Sequence, residues 1–122
     1  MRKSAIQILL LLLSLYADAQ VVVHNSGLLH VSAISDTLHI NGSFINTSSG
    51  DFSNNGRFYV KQDITNSQAS MNAGTGTLYL NGSVLQNIVG TQTFKTLNLV
   101  TNNAAEFLLN NNLSVSGNHS LN

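Results

Sequence analysis

The chain has no cysteine, no proline and no tryptophan, and charged residues make up only 8% of its 122 positions. Without cysteine no disulfide can hold the fold together, so packing and backbone pairing must do so alone. A lipoprotein signal is excluded for the same reason, since it requires a cysteine to carry the lipid. The absence of proline is typical of long, regular strand ladders, because each proline would remove one backbone donor.

Charged residues of either sign are scarce after residue 19, where the chain has three basic and four acidic residues. They are Arg57, Lys61 and Lys95 against Asp36, Asp51, Asp63 and Glu106. This near-neutral balance gives no electrostatic footprint for nucleic acid or for an anionic membrane surface. The 43% of hydrophobic residues are interleaved with uncharged polar ones. That composition differs from the low hydrophobicity and high net charge of disordered chains.

The first nineteen residues have the three parts of a secretory signal peptide. Arg2 and Lys3 precede an apolar run, residues 5–15, and the small residues Ala17 and Ala19 follow it. This pattern predicts cleavage after Ala19, which leaves Gln20 as the first mature residue of a secreted or cell-surface protein. A membrane anchor is the alternative, but the run has roughly eleven residues and a span needs about twenty. We therefore expect no membrane span after signal removal.

Residues 20–122 read as an Asn-rich β-repeat region, and 17 asparagines occur in the chain. Apolar and polar residues alternate with a period of two, as in Leu29-His30-Val31 and Leu78-Tyr79-Leu80, which is typical of half-buried strands. Clusters such as Asn25-Ser26-Gly27 and Asn54-Asn55-Gly56 separate these runs and indicate turns. No stretch shows a sustained helical period, so the sequence predicts an all-β fold.

Two pairs of segments align within the region. Residues 37–44 match residues 77–84 at an offset of 40, and residues 57–65 match residues 106–114 at an offset of about 49. The order of the two blocks is preserved. The sequence therefore predicts a repeat unit made of a pair of strand groups.

Two architectures fit a repeat of strands joined by Asn and Gly turns. In a parallel β-solenoid, inward aliphatic and Phe side chains form a continuous core and outward Thr, Ser and Asn form solvent-facing ladders. Asparagine suits its turns by tolerating left-handed backbone geometry. In an antiparallel β-sandwich, Asn41-Gly42 and Asn81-Gly82 are type I′ hairpin turns. We favour the solenoid because it explains the repeat, the missing proline and the excess of asparagine together.

The segments 76–90, 94–99, 106–109 and 113–117 resemble repeats near the start of large secreted surface proteins of Bacteroidota. Such proteins are commonly exported by the type IX secretion system and end in a sorting domain. The resemblance implies a β-rich, adhesin-like or cell-surface structural role and carries over no catalytic residue. Since the chain stops at Ser120-Leu121-Asn122 without a sorting domain, we expect the β-repeat region to be incomplete at its carboxyl end.

No residue cluster predicts a catalytic, cofactor or metal site. The four histidines, His24, His30, His39 and His119, fit no zinc spacing. The four carboxylates have no cleft loops to hold an acid and base pair for glycoside cleavage. Asp36-Thr37-Leu38 resembles the short signal for O-glycosylation of exported Bacteroidota proteins, with Thr37 as the acceptor. The alternative is a turn leading into a strand.

The sequence thus predicts a non-enzymatic, adhesin-like structural segment of an exported surface protein, without a cofactor. Surface glycans or protein partners are the expected ligands, with Tyr59 and Tyr79 as candidate contacts on an exposed strand face, and nucleic acid is not. The alternative function is an accessory carbohydrate-binding or carbohydrate-active module of a longer secreted protein. A small secreted β-sandwich that binds a partner is a further alternative.

Overall fold

The computed structural model describes residues 20–122, which form fourteen short strands and no helix. Every strand pair in this part of the chain is parallel. Parallel pairing between strands that follow one another around a common axis defines a β-solenoid. The predicted parallel β-solenoid is therefore confirmed, and the antiparallel β-sandwich alternative is wrong.

The strands form five rungs, and each rung except the third presents three strands in chain order. The first rung contains β1 (Val22–Asn25), β2 (Leu28–Val31) and β3 (Thr37–Ile40). The second contains β4 (Ser43–Asn46), β5 (Asp51–Asn54) and β6 (Arg57–Val60). The third contains β7 (Ile64–Asn66) and β8 (Thr77–Leu80). The fourth contains β9 (Gln86–Gly90), β10 (Phe94–Thr96) and β11 (Asn98–Thr101), and the fifth contains β12 (Phe107–Leu109), β13 (Leu113–Val115) and β14 (His119–Leu121).

Corresponding strands of successive rungs stack into three faces. The first face carries β1, β4, β7, β9 and β12 in that order, and the third face carries β3, β6, β8, β11 and β14. The second face consists of two separate pairs, β2 with β5 and β10 with β13. Its ladder is interrupted in the third rung, which has no strand on this face.

The structural repeat is about half as long as the sequence analysis predicted. On the third face Thr37 lies in register with Arg57, and Arg57 with Thr77, so the offset of 40 spans two rungs. The offset of 49 is wrong as a structural repeat, because β6 lies on the third face whereas β12 lies on the first. Inward positions require only an apolar side chain, and strands of different faces therefore share the same alternation.

The interior of the second rung is filled by one phenylalanine from each face. Phe44, Phe52 and Phe58 are fully buried, and their ring centroids lie 4.8 to 5.1 Å apart. Their rings are tilted or edge-on to one another, the arrangements that aromatic pairs prefer. The three faces thus enclose a packed core rather than a channel.

Two side chains replace the missing strand of the third rung. The Oε1 of Gln68 accepts a hydrogen bond from the Phe52 backbone N–H at 3.0 Å. On the other side of the gap, the Sδ of Met71 accepts one from the Lys95 backbone N–H at 3.3 Å. Both side chains are buried. The interruption therefore leaves these two strand donors partnered, as buried backbone groups require.

Asparagine supports the turns through its side chain and not through left-handed backbone geometry, so that part of the prediction is wrong. Among residues 20–122 no residue other than glycine has a positive φ. Instead the Oδ1 atoms of Asn25, Asn54 and Asn72 each accept a hydrogen bond from the backbone N–H two residues later. These are Asx turns, in which the side chain imitates a backbone carbonyl.

The two Asn-Gly pairs join strands of different faces and form no hairpin. Asn41-Gly42 leads from β3 to β4, and Asn81-Gly82 leads towards β9. A Cβ atom at Gly42 would lie 1.8 Å from the backbone oxygen of Val21. Glycine is needed at this corner because neighbouring rungs approach closely there, and not because a type I′ turn requires it.

Candidate functional site

The predicted signal peptide, residues 1–19, lies outside the described residues. Ala17 and Ala19 belong to that part of the chain, and Gln20 is an exposed residue that precedes β1. Cleavage after Ala19 stays a prediction.

A ladder of asparagine amides runs inside the solenoid along the ends of the first-face strands. Asn25 and Asn46 are joined by an amide hydrogen bond of 2.9 Å, as are Asn46 and Asn66. The Nδ2 of Asn66 then donates to the backbone oxygen of Thr93 at 2.9 Å. The sequence analysis expected asparagine in outward ladders, and this expectation is wrong for these three residues, which are buried. Enclosed amides of this kind must be paired, and the ladder pairs them.

Gln86 forms a second network of buried amide hydrogen bonds, and this network links three rungs. Its Nε2 donates to the backbone oxygens of Val60 and Gln62, and its Oε1 accepts from the Gly82 N–H and from Asn103. Within residues 20–122, the Oδ1 of Asn81 is the one buried side-chain nitrogen or oxygen without a hydrogen-bond partner. The amides of Asn25, Asn46, Asn66 and Gln86 are neutral and hydrogen-bonded, so their chemistry serves to hold the rungs together.

An aromatic stack crosses three rungs on the outer side of the third face. The rings of His39 and Tyr59 lie 4.3 Å apart with an interplanar angle of 14°, and those of Tyr59 and Tyr79 lie 4.2 Å apart at 11°. Tyr59 and Tyr79 were predicted as contacts from the sequence, whereas His39 was not. Register explains the stack, because His39, Tyr59 and Tyr79 are successive partners in the parallel ladder. The spacing of 20 residues between them was the signal that would have revealed it.

The ring faces of the aromatic stack are largely covered. Tyr59 has His39 on one face and Tyr79 on the other, and the next residue in register after Tyr79 is Val100. A sugar ring that stacks on an aromatic side chain needs an open ring face. The two tyrosines therefore present their edges and hydroxyl groups to solvent and do not form a flat sugar platform.

The stack also changes the acidity of its central phenol. Partial burial raises the pKa of Tyr59 above its ordinary value of 10.0, and the charge and hydrogen bond of Tyr79 raise it further. The positive charge of Arg57 opposes this shift in the pKa. The neutral phenol is therefore the form that the fold favours.

A basic row, made of Arg57, Tyr59 and Lys61, follows β6, the second of the five strands of this face. Burial alternates along it, with Phe58 and Val60 buried and Arg57 and Lys61 exposed. The Lys61 N–H bonds to the Ile40 carbonyl oxygen at 3.1 Å, so the ladder extends to this residue. Rows with hydroxyl and amide groups flank the basic row, with Thr37, His39 and Asn41 on one side and Thr77, Tyr79 and Asn81 on the other.

The carboxylates lie in different rungs. Asp36, Asp51, Asp63 and Glu106 belong to the first, second, third and fifth rungs. Three of them hold backbone or side-chain donors: Asp36 accepts from the Ala33 N–H, Asp51 from Gln68, and Asp63 from Asn87. Asp36 adjoins the third face, Asp51 begins β5 on the second face, and Asp63 and Glu106 adjoin the first face two rungs apart.

The histidines are dispersed as well. His24, His30 and His39 lie on the first, second and third faces, and His119 lies in the last rung. His30 hydrogen-bonds through its Nδ1 to Ser53 on the outer side of the second face. In the described part of the chain, no group of three or more His, Cys, Asp or Glu side chains is placed to hold a metal ion.

Thr37 is exposed at the start of β3. Asp36 precedes it and ends a turn, in which its own N–H bonds to the Ala33 carbonyl oxygen at 2.9 Å and its carboxylate accepts from the Ala33 N–H at 3.0 Å. The alternative interpretation of Asp36-Thr37-Leu38, a turn leading into a strand, is thus confirmed. O-glycosylation of Thr37 stays a prediction.

Between Gln20 and Asn122 no enclosed cavity or cleft is present, and no helix has the length and apolar character that crossing a bilayer requires. The arrangement defines a three-faced parallel β-solenoid with internal amide ladders and an exposed aromatic stack. No protein-family model, curated protein or solved structure matches the chain.

Proposed function

We propose that residues 20–122 form a non-enzymatic, adhesin-like structural segment of an exported surface protein. The observation that carries this proposal is the continuous interior, in which the Asn25-Asn46-Asn66 ladder joins the first three rungs and the Phe44-Phe52-Phe58 cluster joins the three faces of the second rung. Such an interior makes the rungs a rigid support. The outward side chains are then free to vary without disturbing the core.

The dimensions of a parallel ladder suit a spacer or display element. Adjacent parallel strands lie about 4.8 Å apart, so five rungs span about 19 Å from the first strand to the last. Each rung adds three outward strand faces at fixed spacing, except the third with two. The backbone of a solenoid therefore holds the outward side chains at regular spacing. A recognition or anchoring segment needs such regularly spaced groups.

Export is supported by the predicted signal peptide and by the resemblance to Bacteroidota surface repeats. The described residues also hold together without disulfides, through ladders and packing, as an exported chain without cysteine must. The type IX route and the cell-surface location belong to the same proposal.

The experiment that tests export is expression of the full chain in a Gram-negative bacterium, followed by cell fractionation and mass spectrometry. We expect a product outside the cytoplasm whose mass corresponds to a chain that begins at Gln20. Ala19→Arg should block cleavage, because the signal peptidase pocket accepts only a small residue there. Ala105→Arg is the matched control, since Ala105 is exposed in the fifth rung and should leave processing unchanged. A full-length product that stays in the cytoplasm would contradict the proposal.

The carbohydrate-active alternative gains no support from the positions of the carboxylates. Glycoside cleavage uses two carboxyl groups about 5 to 10 Å apart on opposite sides of the scissile bond. Three of the four carboxylates already accept hydrogen bonds within the fold, and the described residues form no cleft that would hold a glycan between two of them. Release of reducing sugars from a polysaccharide by the purified protein would overturn the non-enzymatic proposal.

A further inference from the structure

Charge is segregated among the faces of the solenoid. The five strands of the third face, β3, β6, β8, β11 and β14, contain no aspartate or glutamate. Two of the three basic residues in the described part of the chain, Arg57 and Lys61, lie in the basic row on this face. The two carboxylates nearest in sequence to this face, Asp36 and Asp63, accept hydrogen bonds from the Ala33 N–H and the Asn87 N–H respectively. The third face therefore carries positive charge although the region as a whole does not.

The strand fixes the spacing of Arg57 and Tyr59. Alternate residues on one side of a strand are about 6.6 Å apart, and Lys61 directly follows the last residue of β6, so Tyr59 lies between the two cations along the chain. The rings on either side of Tyr59 hold its edge and hydroxyl group outward. The flanking rows add the hydroxyl groups of Thr37 and Thr77, about 4.8 Å above and below Arg57.

We propose that this outer face binds a linear acidic polysaccharide, whose carboxylates meet Arg57 and Lys61 while its hydroxyl groups meet the tyrosine and threonine hydroxyls. The inference rests on the proposed function as a segment of an exported surface protein, and it names the ligand class for that segment. Charge complementarity selects an acidic polymer over a neutral one. Both ring faces of Tyr59 are covered, so the ring of Tyr59 does not offer the stacking contact that would favour a neutral glycan.

Nucleic acid is the competing linear polyanion, and the same observations disfavour it. Binding to nucleic acid draws on many phosphate contacts and on bases that stack on open aromatic faces. The third face offers two cations, and the faces of Tyr59 are covered on both sides. A less densely charged polymer rich in hydroxyl groups fits better.

The test uses the protein purified in the form that the host exports, with its mass and circular dichroism spectrum verified. Biolayer interferometry compares immobilised polygalacturonate, neutral dextran and an oligothymidylate. We expect binding to polygalacturonate at low salt that is lost at about 0.5 M NaCl, where exposed charges are screened. We expect weaker binding to dextran and to the oligonucleotide.

Variants of exposed residues assign the contact. Arg57→Gln combined with Lys61→Gln should weaken polygalacturonate binding roughly fivefold, in line with the strength of two exposed charge pairs. Lys95→Gln, which removes one positive charge from the second face, should leave it unchanged. Arg57→Lys should bind within about twofold of the parent, because it keeps the charge. Thermal melts verify that every variant is folded.

Several results would overturn the inference. They are no binding to polygalacturonate at low salt, equal binding to dextran, tighter binding to the oligonucleotide, or an unchanged affinity in the double variant. A correctly processed and folded protein that gives any of these results would still leave the scaffold proposal standing, since export and processing are read from the mass. The two proposals therefore fail on different measurements.

Discussion

The Nδ2 of Asn46 donates to the Oδ1 of Asn66 at 2.9 Å, across two successive rungs and with both side chains fully buried. The same Nδ2 reaches the Oε1 of Gln68 at 2.7 Å, and the Oδ1 of Asn46 accepts from Asn25. Because side chains alternate between the two sides of a strand, a slip of one residue would turn Asn46 outward. The amide ladder thus fixes the register that apolar residues alone would leave less specified.

Asn46→Ala should be among the most destabilising polar substitutions in the chain. It leaves the Asn25 Nδ2 unpaired and takes one of two donors from the Asn66 Oδ1 and from the Gln68 Oε1. An unpaired buried group costs about 1 to 3 kcal/mol. We expect the free energy of unfolding to fall by about 2 to 4 kcal/mol in urea titrations followed by circular dichroism. Asn102→Ala is the matched control, because the Asn102 side chain is exposed and should change stability by less than about 0.5 kcal/mol. Equal effects of the two substitutions would contradict the role of the ladder.

Gly90 ends the amide ladder on the first face and should tolerate no side chain. It has a φ of 124°, and an added Cβ would lie 2.1 Å from the backbone oxygen of Asn66. We expect Gly90→Ala to lower the free energy of unfolding by more than about 2 kcal/mol, through backbone strain and a clash with backbone that cannot yield. At Gly27 an added Cβ meets nothing within 4 Å, so Gly27→Ala should leave the melting temperature nearly unchanged. Equal melting temperatures for Gly90→Ala and Gly27→Ala would contradict the close approach of the third and fourth rungs at Gly90.

The aromatic stack predicts a loss of stability at alkaline pH. The pKa of Tyr59 is raised in the folded protein, so the unfolded chain ionises first as the pH rises past its ordinary value of 10.0. The unfolding free energy should therefore begin to fall near pH 10, and part of that fall should be missing in Tyr59→Phe, which cannot ionise. At pH 8, where the phenol is neutral in both states, the parent and the variant should differ by less than about 0.5 kcal/mol. Parallel pH profiles for the two proteins would show that the stack does not hold the neutral phenol.

The sequence predicted the class of fold because the features that define it are local. Alternation in segments such as Leu78-Tyr79-Leu80 marks a strand with one buried side, and the absence of proline leaves the ladders intact. The repeat length was harder to predict. Thr37-Leu38-His39-Ile40 and Arg57-Phe58-Tyr59-Val60 are in-register neighbours. They share only an alternation, because the core accepts any apolar side chain of suitable size and the outer positions are free.

The roles of the polar residues were the least predictable part. Asn46 and Asn54 lie in strands of similar composition, yet Asn46 joins an amide ladder and Asn54 closes an Asx turn. Only the position of the neighbouring rung decides between these roles. Likewise, the stacking of His39 on Tyr59 follows from the register between β3 and β6. The exposure of Arg57 and Lys61 on either side of Tyr59 follows from the alternation of burial. The register of a solenoid is set by how successive rungs stack, so the sequence of one rung alone does not determine it.

The central claim, that residues about 20 apart stack in register in parallel rungs, is tested most directly by disulfide formation in the chain, which has no native cysteine. Thr65 lies in register with Val89 on the first face, at a strand spacing of about 4.8 Å that a disulfide can bridge. Asn87 is two residues out of register, roughly 8 Å from Thr65, and lies beyond that reach. We predict that Thr65→Cys with Val89→Cys forms an intramolecular disulfide under mild oxidation, whereas Thr65→Cys with Asn87→Cys does not. Efficient cross-linking of the second pair, or none of the first, would contradict the solenoid.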